Sequence, residues 1–325
     1  MSDQFSVDPS TQLPTALVAD ELSKRHVTGE GHPESPARFD AVIEALKQSD
    51  FTESLLHLQP RAATNDDLLR CHQKNYLELV KREIAAGRDT LSTGDTTVCG
   101  DSLEPALHAA GGACVAVDAV MQGKAKNAFC VHRPPGHHAT PAKAMGFCIY
   151  GNAAIAARYA QAKHKIEKVL IVDWDVHHGN GTQNIFYEDP TVFFFSIHQS
   201  PWYPGTGAKD ETGRGKGLGT TMNRPFPAGS GRKEIFAAFQ KDLEPQMSRF
   251  KPNLVIISAG FDSRIDDPLG QFRLTDKDFA DLTGIVLSIA NDHAESRVIS
   301  VLEGGYNLDG LASASAAHCG RLVKG

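Results

Sequence analysis

The chain has no apolar run approaching about eighteen residues, so no stretch reads as a membrane-spanning helix. Its polar, acidic start, Met1-Ser2-Asp3-Gln4, has neither the charge nor the apolar core of a signal peptide. Cysteine is sparse and scattered, at Cys71, Cys99, Cys114, Cys130, Cys148 and Cys319, and no pair forms C-x-x-C. Reduced, mostly buried thiols in a cytoplasmic protein are therefore expected. No basic stretch exceeds a few residues and the net charge is −6, which argues against a nucleic-acid surface. No G-x-S-x-G elbow is present to supply a serine nucleophile. Repeats, low-complexity tracts and domain-splitting linkers are also missing.

What the 325 residues do hold is apolar content of 41 %, enough for one sizeable core. Short β-like runs alternate with helical patterns. The expected strands are 16–19, 127–131, 168–173, 192–197, 254–258 and 298–302. The expected helices are 36–48, 73–86, 103–122, 152–163, 232–249 and 275–292. Such alternation predicts an α/β fold, a mostly parallel sheet with helices on both faces. Gly205–Gly219, rich in glycine and charge, reads as a long loop. Residues 1–14 read as a loose polar arm and 15–325 as a single domain.

Four of the β-like runs end in chemically competent groups. Val169-Leu170-Ile171-Val172 runs into Asp173-Trp174-Asp175-Val176-His177-His178-Gly179-Asn180-Gly181. Burying such a cluster is costly unless the charges pair or bind a metal. Asp175 and His177 are two apart and share a face on an extended chain. A mixed oxygen and nitrogen set suits zinc better than calcium or magnesium. A second apolar run ends in Gly260-Phe261-Asp262. Asp262 either completes a three-ligand site with an open position, the mark of catalytic zinc, or caps a helix or pairs with Arg264. A third run leads to Arg133-Pro134-Pro135-Gly136-His137-His138. Its rigid turn either aims two histidines at a reacting water or is simply exposed. The fourth ends in Glu303-Gly304-Gly305-Tyr306, where the tyrosine either donates to an oxyanion or packs as a turn residue.

The set HH, DxDxHHGN, GFD and GGY, in that order, resembles the zinc-dependent histone deacetylase superfamily. That superfamily includes acetylpolyamine amidohydrolases and bacterial deacetylase-like amidohydrolases. The resemblance runs from about Ala16 to the C-terminus. Gly31-His32-Pro33-Glu34-Ser35-Pro36-Ala37-Arg38 is similar to its class II branch. The resemblance implies the arginase/deacetylase fold, with 15–325 as the catalytic domain. It implies one Zn²⁺ held by Asp175, His177 and Asp262. His138 becomes general base and then acid, His137 its electrostatic partner, and Asp173 the carboxylate orienting His137. Asn180 takes the place that holds Asp in class I and Asn in class II, and Tyr306 is the transition-state tyrosine. Gly146, Phe147 and Tyr203 match the walls of an apolar acyl-lysine tunnel, and Asp95 matches a rim aspartate. Read alone, each of these aromatics is ordinary core packing and Asp95 a turn residue. A K⁺ site is implied at Asp173, Ser196, the backbone of Ile197 and the backbone oxygens of Asp175 and His177. Ser196 alone could equally be a satisfied strand serine.

Substrate preference rests on fewer residues. The gatekeeper position that often carries glutamate in polyamine enzymes holds Leu269, and no long insertion lies between Ile84 and Gly94. Both features favour an acylated lysine peptide or protein. An acetylpolyamine or other small acylamide, and an inactive acyl-lysine-binding scaffold, are the alternatives. A binuclear arginase-like site is disfavoured because His178-Gly179-Asn180 lacks further carboxylates. One His and two Asp ligands leave zinc against ferrous iron undecided. No nucleic-acid or membrane partner is expected, and the sequence leaves open whether the chain forms a homo-oligomer.

Overall fold

The computed structural model describes residues 13–325. All but the last two residues of the expected polar arm lie outside them. Among the described residues, eight strands form one sheet: β1 (Thr15–Ala19), β2 (Leu55–Leu58), β3 (Asn127–Val131), β4 (Val169–Asp173), β5 (Val192–Gln199), β6 (Thr221–Phe226), β7 (Leu254–Ala259) and β8 (Val298–Leu302). The spatial order is β2-β1-β3-β8-β7-β4-β5-β6, and every pairing is parallel.

Period-two alternation divides the strands between two cores. Val169, Ile171, Phe194, Ile256 and Val301 face one side. There they pack with α3 (Lys74–Ala85), α4 (Leu103–Met121) and α5 (Asn152–His164), which follow the shorter α1 (Ala37–Lys47) and α2 (Asn65–Leu69). Leu170, Val172, Phe195, Ile257 and Leu302 face the other side. The short α6 (Asn180–Phe186) packs Phe186 into the first core, whereas the other layer contains α1, α7 (Arg232–Ala237), α8 (Glu244–Phe250), α9 (Asp276–His293) and α10 (Leu308–Lys324). Helices on both faces bury the central strands completely, which is why these strands read as unbroken apolar runs. The six cysteines are free, five of them buried. Among the described residues, no helix is long and apolar enough to cross a membrane.

Five elements were not expected from sequence: β2, β6, the short α2, α6 and α10. Both strands are edges, and β6 carries Pro225, which an edge tolerates because it makes few ladder bonds. Gly310 and Gly320 inside α10, and Gly181 inside α6, weaken the helical pattern that tertiary packing restores. The expected helix 232–249 is present but interrupted. Residues Ala238–Leu243 form a π-helical segment ahead of Pro245, which has no N–H for the carbonyl four residues back.

Candidate metal centre and active site

In an all-parallel sheet every strand delivers its carboxyl end to the same edge. The four neighbours at the centre of the order, β3, β8, β7 and β4, are the four that end in HH, GGY, GFD and DxDxH. Groups separated by up to 169 positions thereby meet. His177 Nδ1 lies 3.0 Å from Asp175 Oδ1 and 3.1 Å from Asp262 Oδ2. All three residues are buried. Asp262 does not pair with Arg264, whose guanidinium binds Asp276.

The backbone is shaped around these carboxylates. Val176 N–H donates to Asp262 Oδ1 (2.8 Å), Gly304 N–H to Asp175 Oδ2 (2.8 Å) and His177 N–H to Asp175 Oδ1 (2.9 Å). A Cβ at Gly260 would sit 2.2 Å from Asp175 Oδ2, and one at Gly304 would sit 2.2 Å from Asp262 Oδ2. Only glycine lets both turns pass so close. Burial pushes the Asp262 carboxyl up, and the charge of Asp175 adds to this, to about 7. Burial alone would lower His177, but hydrogen bonds to Asp175 and Asp262 outweigh it and raise the imidazole to about 10. Two buried carboxylates facing one imidazole form an environment that calls for a cation. The two distances from His177 stand close to the edge of about 3.3 Å that tetrahedral bonds of about 2.0 Å imply, and all three donor atoms lie within 4.8 Å of one another. The set therefore fits a divalent ion such as zinc.

A second trio, His137, Cys148 and Glu303, also converges, but its donors are committed elsewhere. Glu303 Oε2 accepts N–H bonds from Gly136 (2.7 Å) and His137 (3.0 Å). Burial, reinforced by Glu303, keeps the Cys148 thiol far above its ordinary value and so protonated. This trio holds the histidine turn in place.

The two histidines are opposite in character. His137 Nδ1 lies 3.0 Å from Asp173 Oδ2, and its Nε2 lies 3.8 Å from Asp175 Oδ2. Burial opposes its protonation, yet Asp175 and Asp173 together hold its pKa well above the ordinary value. His138 Nδ1 meets the amide oxygen of Asn180 at 2.7 Å. Burial, then the charges of His137 and His177, press the pKa of His138 well below the ordinary value. The surroundings therefore favour the charged form of His137 and the neutral form of His138. Asn180 Oδ1 accepts from Nδ1–H, leaving Nε2 of His138 as the lone-pair nitrogen.

Above these groups opens a cavity of about 250 Å³ lined by Asp95, His138, Gly146, Phe147, His177, Trp202, Tyr203, Leu269 and Tyr306. Every wall, rim and gate residue expected from sequence is in it. Phe147 stands edge-on to Tyr306, with ring centroids 5.9 Å apart, and Tyr203 edge-on to His138 at 5.2 Å. Gly146 is left-handed, and a Cβ there would lie 2.2 Å from His138 Cδ2. Asp95 Oδ1 accepts the Gly146 N–H at 2.8 Å and remains exposed. At the expected K⁺ position, Asp173 and Ser196 are register partners on β4 and β5. The Ser196 hydroxyl also meets His198 Nδ1 at 3.0 Å, the bond of a satisfied strand serine.

A profile described as the histone deacetylase domain matches residues 32–322. The chain belongs to the histone deacetylase family. A chloroplastic histone deacetylase 10 from Oryza sativa is 39 % identical over 88 % of this chain and 68 % of its own. The histone deacetylase-like amidohydrolase of Pseudomonas aeruginosa is 39 % identical over 85 % and 73 %. The human polyamine deacetylase HDAC10 is 40 % identical over 86 % of this chain but 43 % of its own length. The HD domain of HDA15 superposes with a TM-score of 0.90 at 37 % identity, covering 96 % of this chain and 89 % of that one. The fold of this histone deacetylase-family chain is thus the arginase/deacetylase type, and the relatives are deacetylases and amidohydrolases.

Several residues escaped sequence reading. Trp202 lines the mouth, but a tryptophan beside a tyrosine in a glycine-rich loop carries no signal of its own. Arg38 binds the carbonyls of Gly305 (2.6 Å) and Glu303 (2.5 Å) and lies 5.0 Å from the centre of the Tyr306 ring. Its burial is made tolerable by Glu34, which also pairs with Arg133. Glu34 and Arg38 both lie in the family-like segment Gly31–Arg38, where an acidic and a basic residue stand four apart at a helical start, but that resemblance alone assigns neither a role. Asp267 accepts backbone bonds from Leu269, Tyr306 and Asn307, and nothing in Asp266-Asp267-Pro268 distinguishes it from its neighbour.

Proposed function

We propose that this chain hydrolyses acyl-lysine amides at a zinc ion held by Asp175, His177 and Asp262. The observation that carries the reading is the convergence of three buried donor atoms beneath an apolar cavity whose wall contains His138 and Tyr306. When bound there, zinc supplies Lewis acidity to the acyl carbonyl and to the attacking water. The rest follows from the chain's own groups. His138, neutral and with Nε2 free, takes the proton of the attacking water and returns it to the departing lysine amine. His137, held charged between Asp173 and Asp175, stabilises developing negative charge and keeps the pair from sharing one proton. The Tyr306 hydroxyl donates to the tetrahedral oxyanion. Phe147 and Tyr203 bind the alkyl stem and exclude water, and Asp95 offers an acceptor to the substrate backbone. A K⁺ ion at Asp173 and Ser196 would stiffen the β4 end.

The apolar gate at Leu269 favours an acyl-lysine peptide over an acylated polyamine. The polyamine reading stays in play because a relative 40 % identical bears that name. The test is kcat/KM of the zinc-loaded protein for an acetyl-lysine peptide and for N-acetylputrescine, with Tyr306→Phe alongside. The expected result is preference for the peptide and a loss of about 10²–10³-fold in kcat on removing the hydroxyl. Preference for the polyamine would reverse the substrate assignment. Retained zinc with no turnover of any acylamide would point to a binding scaffold.

A further inference from the structure

A run of hydrogen bonds leads from the cavity rim to Tyr306. The Trp202 indole N–H donates to the Leu269 carbonyl (2.9 Å). The Leu269 N–H donates to Asp267 Oδ1 (2.9 Å). Asp267 Oδ2 accepts the N–H groups of Tyr306 (2.7 Å) and Asn307 (3.1 Å). Both backbone polar groups of Leu269 are therefore engaged by protein, although the residue borders an open mouth where water could serve. Trp202 is 38 % exposed, whereas Asp267 is 7 % exposed. One end of the run thus faces entering substrate and the other is locked in the interior.

We propose that Trp202 and Asp267 are positioning residues that set substrate preference at this mouth. Trp202 masks the Leu269 carbonyl, and Asp267 ties the Leu269 segment to the Tyr306 turn. The proposal rests on the reading above, that the acyl chain enters by this cavity. An unmasked backbone carbonyl is an acceptor for the distal ammonium of an acylated polyamine. With the indole N–H on it, the rim presents a leucine side chain and an aromatic face instead. An acyl-lysine embedded in a peptide brings no ammonium to this point and loses nothing. Asp267 acts further in. Its two oxygens serve three N–H groups, and an amide in its place offers only one acceptor oxygen, so either the gate or the tyrosine turn loses its anchor.

The test uses Trp202→Phe, which keeps an aromatic ring but removes the indole N–H together with part of the ring surface, and Asp267→Asn. Circular dichroism and thermal melting confirm that each is folded. Trp202→Phe is expected to lower the ratio of peptide to N-acetylputrescine kcat/KM by about fivefold, the worth of one hydrogen bond. Asp267→Asn is expected to lower that ratio in the same direction and also to reduce kcat for the peptide by about tenfold, through a loosened Tyr306. The same ratio is read without turnover, as calorimetric Kd values of the two ligands in a Tyr306→Phe background. A shifted Kd ratio with no catalysis by the parent protein would uphold the rim assignment while removing the hydrolase reading. An unchanged ratio in folded Trp202→Phe, by both readouts, would overturn it. Loss of kcat in Asp267→Asn with no change of preference would overturn the link between gate and tyrosine.

Discussion

At residue scale, the division of labour between His137 and His138 comes from one difference in partner. His137 faces a carboxylate and His138 faces an amide. A carboxylate favours the imidazolium, whereas an amide oxygen supports the tautomer without adding charge. The base must be neutral to accept a proton, so rate falls as pH drops through the pKa of His138. Because that pKa is depressed by burial and by neighbouring positive charge, the acidic limb of kcat/KM is expected below pH about 6.5, the ordinary histidine value. Asn180→Asp places a negative charge on Nδ1 and raises the pKa. The limb should then move to higher pH by about one unit. A pH–rate profile of both proteins checks this, and an unmoved limb would show that His138 is not the titrating base.

At the scale of elements, the site is a set of strand-to-helix turns whose glycines let carboxylates approach backbone. The turn after β8 shows this most sharply. A Cβ on Gly304 would meet Asp262 Oδ2 at 2.2 Å and Asp175 Oδ2 at 2.6 Å. Both carboxylates are themselves held by backbone N–H groups, so neither can simply rotate aside. Gly304→Ala is expected to weaken zinc binding by about 10–100-fold, the usual cost of disturbing the supports of metal ligands. Calorimetric titration of the metal-free variant with zinc measures this. Undiminished affinity would mean that the turn yields or that the metal lies elsewhere. The same turn carries Tyr306, and Arg38 clamps its carbonyls from α1. One short segment therefore sets metal ligands and oxyanion donor together.

At the scale of the whole molecule, metal and fold are linked through protons. In the metal-free protein His177 is raised to about 10 and Asp262 to about 7. A raised histidine stabilises the fold fully below its unfolded value, about 6.5, and that contribution is lost as pH rises through about 10. Metal needs both groups deprotonated, so zinc uptake near pH 7 should release at least one proton, and affinity should climb as pH rises from about 6 to 9. Titration calorimetry in buffers of different ionisation enthalpy counts the protons. Zinc at about a thousandfold over Kd should add about 4 kcal/mol of stability, seen as a higher Tm that chelation reverses. A Tm indifferent to zinc and chelator would place the ion outside this centre.

By itself, the sequence determined the chemistry on offer and the class of fold. Apolar runs capped by HH, DxDxHHGN, GFD and GGY mark buried strands ending in costly groups, and their alternation with helical patterns marks a parallel sheet. Local periodicity carries that information because a strand buried on both faces must be apolar along its whole length. Edge strands and glycine-bearing helices escaped, since β2, β6, α6 and α10 owe their form to neighbours rather than to local pattern. Only the tertiary structure decided that β3, β8, β7 and β4 stand side by side, an order no sequence spacing encodes. It alone separated Asp267 from Asp266, gave Arg38 and Glu303 their places around the tyrosine and histidine turns, and brought Trp202 onto Leu269. Such contacts join residues tens to hundreds of positions apart, and they arise only once the whole sheet has packed.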